Sequence, residues 1–429
     1  MNELAAGRGS RRGTGGDWTD RILILDVGPI AHGGHCVARA HPEGAGESEG
    51  GGRVVFVRHA LPGERVRAVV SEDAGGSFCR ADTIAVVAPA PQRVPAPCSW
   101  ARAGGCGGCD LQHVDPAAQR ELKATVVAEQ LRRLAGIERA VLVEQLPGGA
   151  LGWRHRVRLA VDDQGRAGLR AHRSHDVLPI ADCPLTSAGA LASVLDRRLD
   201  AGEYRDGEIE VTVDAEGVVH VGDGGPIVQR AAGREWLLSP GVFWQVHPAL
   251  PDILAAVVGE WADAPAGGTA WDLYGGVGLF ATVLAGQVGR DGVVTVVESS
   301  RRAVSDGRAA LADLAQVGWR VGRVEQVLGV DARAAGGPGG GLAGRPDVVV
   351  ADPPRRGLGR TVVDALCERA PDRVVHVACD PAALARDVAL FAARGYRLDG
   401  LRAFDAFPMT HHVECVALLT RASGARARK

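Results

Sequence analysis

The sequence has no long apolar run, and this absence limits where the protein can work. Its 429 residues include no apolar segment near the roughly 20 residues that a membrane helix needs, and no signal-peptide core near the N-terminus. We therefore expect a cytoplasmic protein without membrane contact. An excess of positive charge is also missing, because 49 Lys and Arg residues face 51 Asp and Glu residues. Any nucleic-acid binding must come from local patches, not from bulk charge.

Cysteine is scarce and unevenly placed. Nine cysteines, an odd number in a long chain, argue against the disulfide framework of a secreted protein and favour reduced thiols with metal-binding or catalytic duties. Cys98, Cys106 and Cys109 lie close together, and the glycines around them let the backbone wrap closely about one metal. Cys183, stiffened by the proline that follows it, is the fourth candidate ligand. Four thiolates would complete either a zinc site or an iron–sulfur cluster.

The chain is too long for one compact core, and its pattern divides it into three parts. Short strands punctuated by glycine, at residues 21–27 and 54–57, predict a small N-terminal β-barrel within residues 18–93. Residues 94–237 predict a mixed α+β middle domain that has no catalytic signature of its own. Strand and helix signals then alternate over residues 238–429, as in a doubly wound, mainly parallel sheet. The predicted fold class is therefore multidomain α/β.

Two predicted strands of this sheet end in reactive side chains. The letters VVVADPPRRG occupy residues 348–357, so Asp352 follows an apolar strand and precedes two prolines. The letters HVACDP at residues 376–381 repeat this plan and deliver Cys379 to a turn broken by proline. Because α/β folds keep reactive groups at the carboxyl ends of strands, Cys379 is a candidate nucleophile. The alternative is a buried cysteine that acts as a small apolar side chain.

A glycine-rich turn further upstream predicts a cofactor site. The letters WDLYGGVG at residues 271–278 indicate a strand followed by a turn whose glycines let the backbone approach a nucleoside or amino-acid moiety. Glu298 ends the next predicted strand, where its carboxylate can bind both ribose hydroxyls. Nicotinamide and S-adenosylmethionine enzymes share this pattern. Asp272 before the glycines and the Asp352 strand end favour methyl transfer.

The cysteine strand distinguishes two kinds of methyl transfer. Amine methyltransferases place an aromatic residue after Asp-Pro-Pro, whereas this sequence has Arg355 there. Methylation of an amine does not need a cysteine, but methylation of an unreactive carbon such as C5 of uracil does, because thiolate attack at C6 makes C5 nucleophilic. The C5 proton must then be removed. Glu414, at the start of the last predicted strand, is the best candidate base.

Five motifs in the C-terminal half resemble, in order, those of the RNA 5-methyluridine methyltransferases that use S-adenosylmethionine. They are FWQVHP at 243–248, the glycine loop at 272–278, DPPRRG at 352–357, HVACDPAALARD at 376–387 and FPMTHHVE at 407–414. The resemblance implies that Cys379 is the nucleophile and Glu414 the general base. It implies these cofactor-binding residues: Gln245, Tyr274, Glu298 and Asp352.

The N-terminal part carries a second resemblance. Residues 18–93 resemble a TRAM domain, a small RNA-binding β-barrel, through IAHGGHCVAR at 30–39 and VFVRHALPGERV at 55–66. The four cysteines resemble the [4Fe-4S] ligands of the same methyltransferase family, so the implied cofactors are S-adenosylmethionine and a [4Fe-4S] cluster. These ligands would be Cys98, Cys106, Cys109 and Cys183.

The resemblance also implies an RNA partner. Enzymes that modify a base extrude it from its stack, so a uridine in a single strand or loop is the expected target, and exposed arginines such as Arg65 and Arg67 could hold flanking phosphates. Family members with both barrel and cluster resemble enzymes of ribosomal RNA, so we expect 23S ribosomal RNA as the substrate. We also expect the enzyme to be a monomer. Transfer RNA as substrate, an amine methyltransferase and a non-catalytic RNA-binding protein stay as alternatives.

Three positions depart from the family's motifs. His247 replaces an asparagine, Leu279 stands where some members have a polar cofactor contact, and Asp380 replaces the asparagine after the nucleophile. A charged Asp380 close to Cys379 would raise the pKa of the thiol.

Overall fold

The structure, a computed structural model, describes residues 16–40, 52–200, 202–330, 342 and 344–422. The chain divides into two compact units, Met1–Asp115 and Pro116–Lys429. Within the described ranges, no helix is long and apolar enough to cross a membrane.

The first unit contains a closed β-barrel, as its short strands predict. Its strands are β1 Ile22–Ile30, β2 Cys36–Ala40, β3 Arg53–Arg58, β4 Arg65–Glu72 and β5 Phe78–Ala88. They pair in the order β1-β2-β3-β5-β4. Alternation along β4 shows why a barrel forms, because Val66, Ala68 and Val70 are fully buried while Arg65 and Arg67 between them are exposed.

The second unit begins with a helix and several short strands. These elements are α1 Pro116–Gln130, β6 Val143–Gln145, β7 Arg156–Val161, β8 Ala167–Arg170, β9 Val177–Leu178, α2 Ala192–Leu195, β10 Glu208–Val213, β11 Val219–Val221, β12 Ile227–Ala231 and β13 Arg234–Leu238. A π-helical turn, Leu131–Ala135, extends α1, so the predicted helix at residues 117–134 is confirmed. Five of the strands form a sheet in the order β11-β10-β7-β8-β9, and β12 and β13 form a separate hairpin.

Alternating strands and helices complete the second unit. They are α3 Leu250–Ala262, β14 Thr269–Leu273, α4 Leu279–Val288, β15 Val293–Glu298, α5 Arg301–Ala310, β16 Val317–Val321, α6 Val324–Val327, β17 Val348–Ala351, α7 Gly359–Arg369, β18 Arg373–Ala378, α8 Pro381–Ala392, β19 Tyr396–Asp405 and β20 Glu414–Arg421.

The main sheet of this unit has the predicted doubly wound form. In the described chain its strand order is β16-β15-β14-β17-β18-β20-β19-β6, and β14 to β18 run parallel. The last strand of the chain, β20, is antiparallel to both of its neighbours. One edge strand, β6, comes from the segment that the sequence assigned to a middle domain. The boundaries at residues 94 and 238 stay a prediction.

Two apolar cores lie on opposite faces of the main sheet. Val348 and Val350 of β17 pack in one core with residues of α3 and α4, whereas Val349 and Ala351 pack in the other with residues of α7 and α8. Both faces are therefore covered, which explains why the parallel strands have continuous apolar sequences. Because both faces are filled, a ligand can reach the sheet only at the ends of its strands.

Candidate active site

A cleft of about 940 Å³ opens at the carboxyl ends of the parallel strands of the second unit. Its size is typical of sites for small molecules. All six residues to which the sequence assigned catalytic or cofactor-binding roles line this cleft. They are Gln245, Tyr274, Glu298, Asp352, Cys379 and Glu414. The structure thus brings together residues that are far apart in the chain, while the role of each stays a prediction.

The glycine loop after β14 is packed too tightly for side chains at two positions. A Cβ atom on Gly275 would lie 2.6 Å from Cγ1 of Val296, and one on Gly278 would lie 2.8 Å from Cδ1 of Leu311. Gly278 also has a φ of +83°, which a residue with a side chain rarely adopts. The loop backbone can therefore approach a ligand in the cleft closely.

Glu298 is fixed beside this loop by backbone hydrogen bonds to both of its carboxylate oxygens. Oε2 accepts from the Gly276 amide at 3.1 Å and Oε1 from the Ser300 amide at 2.6 Å. Tyr274 has a φ of +59°, a left-handed conformation that is uncommon outside glycine and concentrates at functional sites. An open glycine loop beside a fixed acid fits the nucleoside and amino-acid parts of S-adenosylmethionine.

Asp272 lies beneath the loop and is fully buried. Its Oδ2 accepts a hydrogen bond from the Ala281 amide at 2.9 Å, but its Oδ1 has no partner among the described residues. Burial raises the pKa of this carboxyl to about 8. The group is therefore mainly a neutral acid at pH 7, because burial disfavours its charged form.

An ion pair connects the two sides of the cofactor half of the cleft. Nη2 of Arg356, which follows β17, lies 2.7 Å from Oε1 of Glu325 in α6, which follows β16. The strands β15 and β14 stand between β16 and β17 in the sheet. The pair therefore reaches across the ends of the two strands that carry Glu298 and the glycine loop. Sequence analysis did not single out either member of this pair.

The catalytic half of the cleft is built on three neighbouring strands. Asp352 follows β17, Cys379 follows β18 and Glu414 begins β20. Strand β18 pairs with β17 through His376 and Ala351, and with β20 through Ala378 and Cys415. This pairing brings the acid, the thiol and the second acid to the same edge of the sheet.

Burial controls the protonation of these three groups. It raises the pKa of the Cys379 thiol to about 12, with further contributions from the nearby carboxylates of Glu414 and Asp352, while Arg355 opposes the shift. Burial also raises the pKa of Asp352 to about 7 and that of Glu414 well above its usual range. At neutral pH the cleft without substrate therefore holds a protonated thiol beside a protonated Glu414.

Asp380 has a structural function that the sequence did not reveal. It is the N-cap of α8, and its Oδ1 accepts a hydrogen bond from the Ala383 amide at 2.7 Å. The carboxylates that raise the pKa of the Cys379 thiol are those of Glu414 and Asp352, whereas Asp380 contributes to the raised pKa of the buried Cys415. The replacement of the family's asparagine by Asp380 therefore preserves a helix cap.

The side chains at the other two departures are buried. His247 is buried and stacks on Trp153, with ring centroids 6.0 Å apart and planes 14° apart. Burial lowers the pKa of His247 to about 4, so the ring is neutral at pH 7. Leu279 begins α4 and lines the cleft with an apolar side chain.

The Asp-Pro-Pro-Arg loop is held from below by Asp387 of α8. Its Oδ2 accepts from the Leu358 amide at 2.7 Å and its Oδ1 from the Gly359 amide at 3.0 Å. Its Oδ2 also lies 3.1 Å from Nε2 of the buried His376. Sequence reasoning gave Asp387 no role, although a carboxylate on the apolar face of a helix was a visible signal.

The role of the four cysteines as metal ligands stays a prediction. Three belong to the first unit and Cys183 to the second. The Gly108 amide donates to Sγ of Cys106 at 3.3 Å, and the Gln112 side chain donates to Sγ of Cys109 at 3.1 Å. Nowhere in the described ranges do three or more His, Cys, Asp or Glu side chains come together in a way that could hold a metal ion.

The doubly wound sheet, the glycine loop and the acid that ends the next strand together define a Rossmann-like fold. The structure is similar to that of the tRNA (uracil-54, C5)-methyltransferase of Pyrococcus abyssi in complex with S-adenosyl-L-homocysteine, with a TM-score of 0.67 at 21% identity. The similarity covers 93% of this chain and 100% of that chain. At this identity it shows the fold alone.

Sequence comparisons show the family. The model of the tRNA (uracil-5-)-methyltransferase family matches residues 345–422. An RNA methyltransferase of Streptomyces coelicolor, described as uncharacterised, is 43% identical over 93% of each chain. The 23S rRNA (uracil(1939)-C(5))-methyltransferase RlmD of Shewanella amazonensis is 30% identical over 89% of this chain and 94% of its own. The chain therefore belongs to the family of S-adenosylmethionine-dependent RNA (uracil-C5) methyltransferases.

Proposed function

We propose that this enzyme transfers a methyl group from S-adenosylmethionine to C5 of a uridine in 23S ribosomal RNA through a covalent bond between Cys379 and C6. The observation that carries the proposal is the joint position of Cys379, Glu414 and Asp352 in one cleft with the glycine loop. The relative from Shewanella amazonensis, named for a uracil of 23S rRNA, supports this RNA as the substrate.

Each catalytic residue has a task that its position allows. Cys379 Sγ, after losing its proton, forms a bond to C6 and pushes the ring electrons towards C5, which becomes nucleophilic. The cofactor supplies an electrophilic methyl group. Glu414, as a carboxylate, takes the proton from C5, and the electrons of that C–H bond restore the ring double bond as the bond between Sγ and C6 breaks. Asp352 borders both residues, and its burial favours a protonated side chain that can donate a hydrogen bond to the polar edge of the ring.

Substrate binding must change the protonation of this site. The resting thiol, with a pKa near 12, is a poor nucleophile at pH 7, and the resting Glu414 keeps its proton. Once the substrate is bound, the thiol and Glu414 must therefore each release a proton to water, and the negative charge of the thiolate then moves to the ring. Arg355 is the charged neighbour that favours this ionisation, since its charge lowers the pKa of the thiol.

The substrate is tested by mapping 5-methyluridine in ribosomal and transfer RNA from a strain that lacks the protein. We expect one 5-methyluridine of 23S rRNA to disappear, to return with the wild-type gene, and to stay absent with Cys379→Ala. Loss confined to transfer RNA would instead support the substrate named for the Pyrococcus abyssi enzyme. A lost methyl group on an exocyclic nitrogen would identify an amine methyltransferase and contradict the proposal.

The barrel of the first unit is proposed to be a TRAM domain that binds RNA near the target base. Arg65 and Arg67 project from β4 on its exposed face, where they can contact phosphates. Because the proposed substrate is ribosomal RNA, we also propose that the enzyme works in the cytoplasm.

A [4Fe-4S] cluster on Cys98, Cys106, Cys109 and Cys183 is a separate proposal that rests on the sequence resemblance. No step of the reaction depends on it. Iron and sulfide analysis of anaerobically purified protein should give about four irons per chain, and broad visible absorbance, if four thiolates hold such a cluster. Cys106→Ser should abolish both. Stoichiometric zinc, or anaerobically purified protein that is folded but contains no iron, would contradict this proposal.

A further inference from the structure

The loop that precedes the proposed base carries an unusual backbone conformation. Residues 406–413, here called the base loop, connect β19 to β20, and Glu414 is the first residue after it. In the hairpin, Glu414 pairs with Phe404, so the path of the loop determines where its carboxylate lies. Within the base loop, Met409 has a φ of +67°, a left-handed conformation that a residue with a long side chain adopts only when its surroundings impose it.

Gln119 of α1 imposes this conformation through two contacts. Its side-chain oxygen accepts a hydrogen bond from the Met409 amide at 2.8 Å, and its side-chain nitrogen donates to Sδ of Met409 at 3.2 Å. Gln119 is fully buried, so water cannot replace these contacts. The buried Met409 amide therefore depends on a residue almost three hundred positions earlier in the chain.

Lys123 of the same helix holds the beginning of the loop. Its Nζ lies 2.6 Å from Oδ1 of Asp405, the last residue of β19, and donates to the backbone oxygen of Phe407 at 3.0 Å. Both charged side chains are at most 4% exposed. A buried ion pair adds little net stability, so its value is in fixing one arrangement of the groups that it joins. Lys123 follows Gln119 by one helical turn, so both side chains leave α1 on the same face.

We propose that Gln119 and Lys123 are positioning residues for the general base, and that α1 sets the place of Glu414 by holding the base loop. Neither residue lines the cleft, so both act through the loop. This inference rests on the proposed role of Glu414 as the base. Its specific consequence concerns the last chemical step, because a displaced Glu414 slows removal of the C5 proton while attack by Cys379 and methyl transfer proceed.

The test follows the covalent RNA–protein adduct formed on natural uridine RNA with S-adenosylmethionine, resolved on denaturing gels. If proton removal is slow, the methylated adduct accumulates. Gln119→Leu should show this accumulation, with kcat lowered by about tenfold to 100-fold and unchanged cofactor affinity. Gln119→Glu keeps the acceptor for the Met409 amide and should fall between Gln119→Leu and the wild type. Lys123→Arg, which keeps the charge but changes its reach, should accumulate adduct as well.

Two further variants distinguish a positioning role from a general loss of stability and from a wrong assignment of the base. Val127→Ala creates a cavity in the same helix, one turn from Lys123, and should lower the melting temperature without adduct accumulation. Glu414→Gln should accumulate the most adduct, and its failure to do so would contradict the proposed base itself. If Glu414→Gln accumulates adduct but the Gln119 and Lys123 variants behave like Val127→Ala, the positioning role is wrong. Should Gln119→Leu fail to fold, the other two substitutions at these positions decide by the same criterion.

Discussion

Burial sets the charge of the acids and the thiol around the cleft. Asp352, Glu414 and Cys379 all have raised pKa values, and for each the largest cause is loss of water. The site therefore carries little negative charge at rest, although two carboxyl groups and a thiol are close together. This suits a reaction that begins by creating a negative charge on sulfur and passing it to the substrate.

Burial of Asp272 makes the stability of the folded protein depend on pH. Its pKa is near 8 in the folded protein and near 3.8 when exposed, so the folded state holds a proton that the unfolded state releases. The stability that this proton provides is complete below pH 3.8 and is lost as the pH rises towards 8. The slope can reach about 1.4 kcal/mol per pH unit. We predict that Asp272→Asn flattens the fall in unfolding free energy between pH 5 and 8.

Urea denaturation at several pH values measures this directly. Asp163→Asn, at an exposed position in a turn, serves as the control and should leave the slope unchanged. An equal slope in Asp272→Asn and the wild type would show that Asp272 is charged in the folded state.

The sequence predicts which residues converge where a motif surrounds them, although their roles stay a prediction. Cys379, Asp352 and the glycine loop stand at strand ends, and strand ends of a parallel sheet meet at one edge, so their convergence could be predicted. Gln119 and Lys123 could not be found in this way. Their partners are more than two hundred residues distant, and only the packing of α1 on the base loop brings them together.

The helix α8 connects the nucleophile strand to the Asp-Pro-Pro-Arg loop. It begins at the Asp380 cap directly after Cys379, and its buried Asp387 accepts hydrogen bonds from the loop. Gly357 in that loop has a φ of +79°, and a Cβ there would lie 2.5 Å from Oδ2 of Asp387. The helix and loop thus form one support beneath Asp352 and Arg355.

We predict that Asp387→Ala weakens this support. Two backbone amides and the buried His376 ring would lose their acceptor, and each such group costs about 1–3 kcal/mol when it is left without a partner. Unfolding free energy measured in urea should fall by at least about 2 kcal/mol, and methyl transfer should fall with it. Arg386→Ala, at the exposed neighbouring position, should change neither quantity. Equal stability of Asp387→Ala and the wild type would show that the loop is held by other contacts.

The shortest strands of the structure could not be predicted from the sequence. The strand β6 has three residues, too few to show a periodic pattern, and it joins the main sheet by pairing with β19. The helix α1 and the strands β17 and β18 were predicted because the apolar periodicity of the helix and the continuous apolar runs of the strands extend over several residues. The order of strands at the antiparallel edge depends on tertiary pairing.

At the scale of the whole molecule, the residues that line the cleft belong to the second unit. Every residue that lines the cleft lies between residues 241 and 414. The first unit has a barrel with exposed arginines, which agrees with the proposal that it binds RNA. The formal net charge of −2 fits this division, since RNA binding then depends on local patches.

The central claim is that Cys379 bonds to C6 of the target uridine, and covalent trapping tests it most directly. RNA that carries 5-fluorouridine has no C5 proton for the base to remove, so the methylated adduct cannot release the enzyme. With S-adenosylmethionine, the wild-type enzyme should form a complex that survives a denaturing gel, with the RNA attached to the peptide that contains Cys379. Cys379→Ala should form none. A Cys379→Ala enzyme that still methylates C5, or RNA attached to another residue, would contradict the account.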